Sequence, residues 1–181
     1  MNKLKTVLAI AVVGAVAAVA AVTTANGKEP IPPVASVDLQ RFMGDWYVIG
    51  NIPTFIEKDV YDAVESYALD KDGKIRTTFR YRKGSFDAPI KTMNPVGTVV
   101  EGTNNAVWGM QFIWPIKAEY VIVYLSEDYS QTIIGRTDRD YVWIMARTPQ
   151  IPDADYEALV QRVRDLGYDT THLRKVPQSP R

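Results

Sequence analysis

The sequence predicts an all-β fold: ~8 short antiparallel strands in an up-and-down meander that closes into a barrel or folds into a sandwich, with a C-terminal α-helix packed on its outside. Three observations carry this prediction. From Ile75 to Arg82 the residues alternate, with Ile75, Thr77, Phe79 and Tyr81 on one face and Arg76, Thr78, Arg80 and Arg82 on the other, so one face is buried and the other wet. Turn residues punctuate the apolar runs at near-regular intervals, at Pro53, Asp72-Gly73, Gly84 to Pro89, Asn104-Asn105 and Asp128-Tyr129. After Asp153 the apolar period lengthens, with Tyr156, Leu159, Val160, Val163 and Leu166 at helical spacing and Gly167 as the stop.

The first 25 residues lie outside that pattern. Lys3 and Lys5 precede an uncharged Ala/Val run from Val7 to Val22 that ends in small residues through Ala25, the layout of a secretory signal peptide cut after Ala25. The run is close to the ~17-residue minimum for a membrane span, so an uncleaved anchor is the alternative. Residues 26–36, with Pro30, Pro32 and Pro33, read as an extended linker, and residues 37–181 as one domain. Lys+Arg and Asp+Glu both number 21, which gives no electrostatic case for nucleic acid. The chain has no Cys, so in an exported protein hydrophobic burial alone must hold the fold, and thiolate chemistry is excluded.

Phe42-Met43-Gly44-Asp45-Trp46-Tyr47 opens the domain as a short helical turn feeding the first strand, with Trp46 too large to leave wet. Strands follow at about 46–52, 61–69, 75–82, 93–101, 106–114, 120–125, 132–136 and 141–146. Asp72-Gly73 supplies the positive φ of a tight hairpin, and Pro95 marks a bulge or edge in the fourth strand. In the sixth, Tyr120, Ile122 and Tyr124 alternate with Val121, Val123 and Leu125, and the second set offers the helix an apolar wall. Residues 172–176 return as a short strand.

Each hairpin of a meander reverses direction, so alternate connections share an end. The start of the first strand, the turns at Asp72-Gly73, Asn104-Asn105 and Asp128-Tyr129, and Arg147 after the last strand therefore meet at one pole. There the Arg147 guanidinium can stack on the Trp46 indole. These residues, Gly44-x-Trp46, Asp128-Tyr129 and Arg147 in Trp143-Ile144-Met145-Ala146-Arg147-Thr148-Pro149, resemble the lipocalin family, in particular its bacterial and apolipoprotein D-like branch. The resemblance covers about residues 38–177. It implies an eight-stranded antiparallel up-and-down calyx, closed by Gly44, Trp46, Asp128, Tyr129 and Arg147, that stores or transports a small hydrophobic ligand of the fatty acid or lysophospholipid class in the cell envelope. Many bacterial lipocalins carry an N-terminal lipid on a Cys. That part of the pattern does not carry over, so the chain reads as periplasmic or outer-membrane associated without being a lipoprotein.

By alternation, Tyr67, Phe79, Tyr81, Trp108, Met110, Phe112, Tyr120, Tyr124, Tyr141 and Trp143 point inward as ligand-binding candidates. Glu65 shares their parity, and a buried carboxylate is costly unless paired or wet. Arg82, Lys83, Lys117, Arg136 and Arg139 fall in the loops of the opposite pole, the mouth, as candidates for an anionic head group. The partners expected are the small hydrophobic ligand and a membrane surface, with the chain a monomer or homodimer. The one His, His172, lies in the tail, too far from the interior for a triad or a haem anchor. The loop Arg136-Thr137-Asp138-Arg139-Asp140 alternates in sign as a solvated hairpin does, so neither metal nor cofactor is expected. The competing reading is a lipocalin-fold enzyme acting on a lipid or isoprenoid, with Glu65 beside Tyr67 or Tyr124 as its acid or base.

Overall fold

The computed structural model describes residues 28–179, and the expected signal peptide falls outside that range. A one-turn helix α1 (Leu39–Phe42) leads into strands β1 (Gly44–Ile52), β2 (Val60–Leu69), β3 (Ile75–Lys83), β4 (Lys91–Met93), β5 (Val96–Val99), β6 (Val107–Ile113), β7 (Ile116–Leu125), β8 (Gln131–Gly135) and β9 (Val142–Ala146), followed by helix α2 (Asp153–Asp165), a 3-10 turn at Thr170–His172 and β10 (Arg174–Lys175). All pairings are antiparallel, and β1 pairs with β9 to close the sheet on itself. The result is a closed eight-strand barrel, since β4 and β5 are one stave broken at Asn94-Pro95 and both pair with β3. The Pro95 carbonyl bridges the break by accepting from Thr77 N at 3.1 Å.

The alternation of β3 is seen directly, with Ile75, Thr77, Phe79 and Tyr81 buried. Four bulges interrupt the ladder elsewhere, at Val48/Gly50, Tyr61/Val64, Gln111/Ile113 and Ile122/Tyr124. A bulge inserts one unpaired residue and so exchanges the faces beyond it. The last of them corrects the expectation for Tyr124, which lies on the outside under the Arg162 guanidinium of α2 at 4.3 Å, while Leu125 packs inward.

Helix α2 buries Tyr156, Leu159 and Val163 against the outer wall. That wall is broader than Val121 and Val123 alone, because Ile49 of β1, Ile133 of β8 and Ile144 of β9 belong to the same cluster. Gly50 of β1 makes the close approach: a Cβ there would stand 3.1 Å from the Tyr156 ring.

Residues 28–36 are extended, but they are not a free linker. Val34 N donates to Ile122 O at 2.9 Å, Asn104 Nδ2 to Ala35 O at 3.1 Å, and Ile31 is only 3% exposed, among the residues under α2. The prolines hold the segment extended without competing for donors, and its remaining amides and Ile31 anchor it to the barrel. It runs from the mouth, where Lys28 Nζ meets Asp138 O at 2.6 Å, to the closed end, where Val37 N meets Asn104 O at 3.0 Å. At the other terminus Gln178 Nε2 donates to Val48 O and Ala63 O, filling the gap between β1 and β2 that the Tyr61/Val64 bulge opens.

Candidate functional site

One end of the barrel is plugged. Trp46 and Trp108 are fully buried, and Phe42 lies between them with ring centroids at 4.9 and 5.3 Å. Trp46 Nε1 donates to Phe42 O at 2.8 Å, so the indole has a partner for its one polar atom. The Arg147 guanidinium covers the Trp46 ring at 3.8 Å and donates to four carbonyls, those of Asp45, Arg41, Phe42 and Tyr129. Gly44, at φ 95°, leaves room for it: a Cβ would lie 3.4 Å from Arg147 Nη1. Tyr129, also at positive φ, accepts from Asp38 N and stacks under Arg41. Asp128 organises its turn by accepting from Ser126 Oγ and from Ser130 N and Oγ, which hold its carboxyl down at about 2.

Above the plug lies a cavity of about 290 Å³. Phe79, Met93, Pro95, Met110, Ala118 and Trp143 form its apolar wall, Tyr120 and Glu65 its deepest polar groups, and Thr54 to Glu57, Phe112 and Arg136 its upper part. Of the ten inward candidates, Phe79, Met110, Phe112, Tyr120 and Trp143 line this space. Tyr67 and Trp108 sit in the layer below, with Trp108 stacked on Tyr120 at 4.8 Å, and Tyr81 stacks behind Phe79 at 4.9 Å. The remaining two lie apart from both the lining and the layers packed against it. Tyr124 is outside the barrel, and Tyr141, which precedes β9, lies half-buried at the rim under the Arg136 guanidinium at 5.4 Å.

Glu65 points inward, as its parity requires. Tyr67 Oη donates to Glu65 Oε2, and Tyr120 Oη meets Tyr67 Oη at 2.8 Å, so the three form a chain from β7 to β2. Glu65 is partly buried and lines the cavity. Burial pushes its carboxyl up to about 7 against the opposing Tyr67 hydrogen bond, with the Glu57 charge adding to the rise. Both tyrosines are pushed well above the ordinary phenol range by the same burial, so the labile proton of this chain belongs to Glu65.

Glu57 was not legible as a site residue. It falls in an irregular loop where no periodicity assigns a direction, yet it is buried. It accepts from Trp143 Nε1 at 2.6 Å and from Thr54 N and Oγ1, and desolvation raises its carboxyl despite these three donors. Glu119, also on the wall, accepts from Thr137 N and Oγ1. Met93 and Pro95 were missed because the break in their stave hides its parity.

Of the five cations expected at the mouth, only Arg136 lines the cavity. It pairs with Asp140 at 3.3 Å and Asp138 at 4.0 Å, and its Nε is buried with no hydrogen-bond partner. The other four do not line it, which corrects their assignment, and three of them are held elsewhere. Arg82 binds Asp62 and Ala88 O, Lys83 binds the Ile56 and Lys58 carbonyls, and Lys117 lies over Gly109 in the neighbouring strand. Arg139 ties Glu29 O to Thr137 O and Leu166 O beside α2.

The sequence model of the lipocalin-like domain family matches residues 37–178. The chain belongs to the lipocalin family. Lipocalin barrels bind small hydrophobic molecules, and the cavity above the Trp46 plug is the candidate site for one in this lipocalin. Among its relatives, temperature-induced lipocalin-1 of Arabidopsis thaliana is 29% identical over 84% of this chain and 85% of its own length. The outer membrane lipoprotein Blc of Vibrio cholerae is 24% identical over 83% and 88%, and bovine (Bos taurus) apolipoprotein D is 28% identical over 70% and 69%. These relatives place the lipocalin in the bacterial and apolipoprotein D-like branch. Insecticyanin of the tobacco hornworm Manduca sexta has the same fold at 14% identity, with a TM-score of 0.66 over 82% of this chain and 85% of its own.

Proposed function

We propose that this lipocalin binds and carries a single-chain amphiphile of the fatty acid or lysophospholipid class in the cell envelope, taking the chain inward and leaving the head group at the mouth. The apolar cavity above the plug carries this reading. At ~30 Å³ per water-sized group it holds ~10 such groups, enough for much of one acyl chain and too little for a polar head as well. At the exit Arg136 is the cation on the wall, and its guanidinium, held by Asp138 and Asp140, suits a carboxylate or phosphate there. Native mass spectrometry with lipid extraction tests the reading: the protein purified from its own envelope is expected to carry one single-chain lipid per barrel. A barrel recovered empty that also shows no quenching of Trp143 on addition of dodecanoate would overturn it. Arg136→Ala is expected to weaken dodecanoate about tenfold and its methyl ester much less, read by the same quenching.

The rim supports loading from a membrane. Phe55, Phe112, Trp114 and Ile116 are all more than half exposed around the mouth, far more apolar surface than the rest of the barrel shows. The chain enters the described fold at Lys28, beside Asp138 on this same side. A membrane-held N-terminal segment therefore brings the mouth, and not the plugged end, to the bilayer. Replacing Phe55 and Trp114 by Ser is expected to cut co-sedimentation with phospholipid vesicles at least fivefold while leaving unfolding unchanged, because neither side chain is packed in the core.

A further inference from the structure

The polar chain at the bottom of the cavity is not needed to hold an acyl chain, and an apolar end group would be a poor neighbour for it. Glu65 sits one step above the plug, as the cross-strand partner of Trp46 on one side and Phe79 on the other. Its Oε2 is taken by Tyr67, Oε1 has no hydrogen-bond partner among the described residues, and Glu65 lines the cavity. A carboxyl group enclosed by Phe79, Met110 and aromatic rings is costly unless its acceptor oxygens are met by donors. The protein supplies one donor and leaves the second position to whatever occupies the cavity.

We propose that Glu65 is a second recognition point for the ligand, and that the chain this lipocalin takes in carries a hydrogen-bond donor, a hydroxyl or an ammonium, at the end remote from its head group. This rests on the carrier reading above and narrows it. A methyl terminus would leave Glu65 Oε1 unpaired in a space from which the ligand has displaced water. A second carboxylate would place like charges together. A hydroxyl satisfies Oε1 whether Glu65 is ionised or not, since it can donate to the anion or accept from the acid, whereas an ammonium requires the anion.

Four twelve-carbon acids with the same carboxylate head separate these cases by calorimetry: dodecanoate, 12-hydroxydodecanoate, 12-aminododecanoate and dodecanedioate. The hydroxy or amino chain is expected to bind at least tenfold more tightly than dodecanoate, with the dicarboxylate weakest. A lead by the hydroxy chain assigns a hydroxylated lipid, and a lead by the amino chain assigns a long-chain amine. In Glu65→Leu the lead should vanish. In Glu65→Gln, which keeps the shape and an acceptor oxygen, the amino chain alone should lose its advantage, so the inference stays testable if the leucine variant does not fold.

The pH dependence gives a further readout. Tyr67 of β2 is bonded to Glu65, with Tyr120 of β7 next in the chain, and the other titratable groups on the same cavity lining are Glu57 of the β1–β2 loop, Glu119 of β7, which is held by Thr137, and Arg136 after β8, while Trp46 and Phe79 add none. With Glu65 near 7 and the ligand amine protonated to ~10, binding of the amino chain should strengthen from pH 6 to 8 while that of dodecanoate weakens. Equal affinity for dodecanoate and its hydroxy and amino analogues, or a lead that persists in Glu65→Leu, overturns the inference and leaves the carrier reading standing. Failure of all four chains to bind overturns both.

Discussion

Trp46→Ala is expected to destabilise the barrel by about 4 kcal/mol, and Arg147→Ala by about 2–3 kcal/mol, with the double variant costing clearly less than the two together. The first figure follows from emptying a fully buried indole site against which Phe42 packs. The second follows from four carbonyl acceptors losing one charged donor group, discounted because Arg41 and Asp45 are exposed and water can replace the guanidinium there. The shortfall in the double variant measures the guanidinium–indole contact, about 1–2 kcal/mol when partly desolvated. Urea unfolding with an unchanged m-value gives all three numbers. If Arg147→Ala shifts the midpoint by less than about 0.5 kcal/mol equivalent, the closed end is held by the aromatic plug alone and the cap is ornamental.

Glu65→Gln is expected to stabilise the empty protein by as much as about 3 kcal/mol at pH 8 and by little at pH 4.5. The folded-state carboxyl lies at about 7, above its ordinary value of 4.5, so between those limits the folded state binds more protons than the unfolded one. The wild type therefore loses stability as pH rises from 4.5 through 7, by about 1.4 kcal/mol for each unit of displacement. A neutral amide of the same shape keeps the Tyr67 hydrogen bond and has no such loss. Glu57 titrates in the same direction, but it is present in both proteins and largely cancels from the comparison. For a domain of this size the gain corresponds to roughly 6–12 °C in Tm. Equal stability of the two proteins at pH 8 would show that water in the cavity already solvates the anion. A site that costs stability when empty fits a carboxyl placed for a ligand, since packing alone would favour the amide or a leucine.

The closed end was readable because each of its parts is a local signal, and the meander geometry assigns them to one pole without further information. Gly44 before Trp46, the Asp128-Tyr129 turn and Arg147 at the end of the last strand needed only the rule that alternate connections share an end. The cavity wall was readable on β3 and along β6 as far as Phe112, where alternation runs unbroken. It failed at Tyr124, because the Ile122/Tyr124 bulge is a property of how β7 pairs with β8 and leaves no mark in the residue pattern of β7. It failed for the mouth cations because a long side chain can turn to any nearby carbonyl. Arg139 found the N-terminal segment and α2, and Lys83 the β1–β2 loop.

By itself, then, the sequence determined the class of fold and the order of its strands, which follow from short-range periodicity and turn chemistry, while its resemblance to the lipocalins pointed to the family and to the residues that seal one pole. Only the tertiary structure decided that residues 28–36 bind along the barrel, that Arg136 alone of five cations lines the cavity, and that Glu57 reaches the interior into which parity places Glu65. Each of those outcomes depends on segments far apart in the chain competing for the same donors, acceptors and apolar surface. Such a competition is settled by the closure of the sheet and is invisible to any window of neighbouring residues.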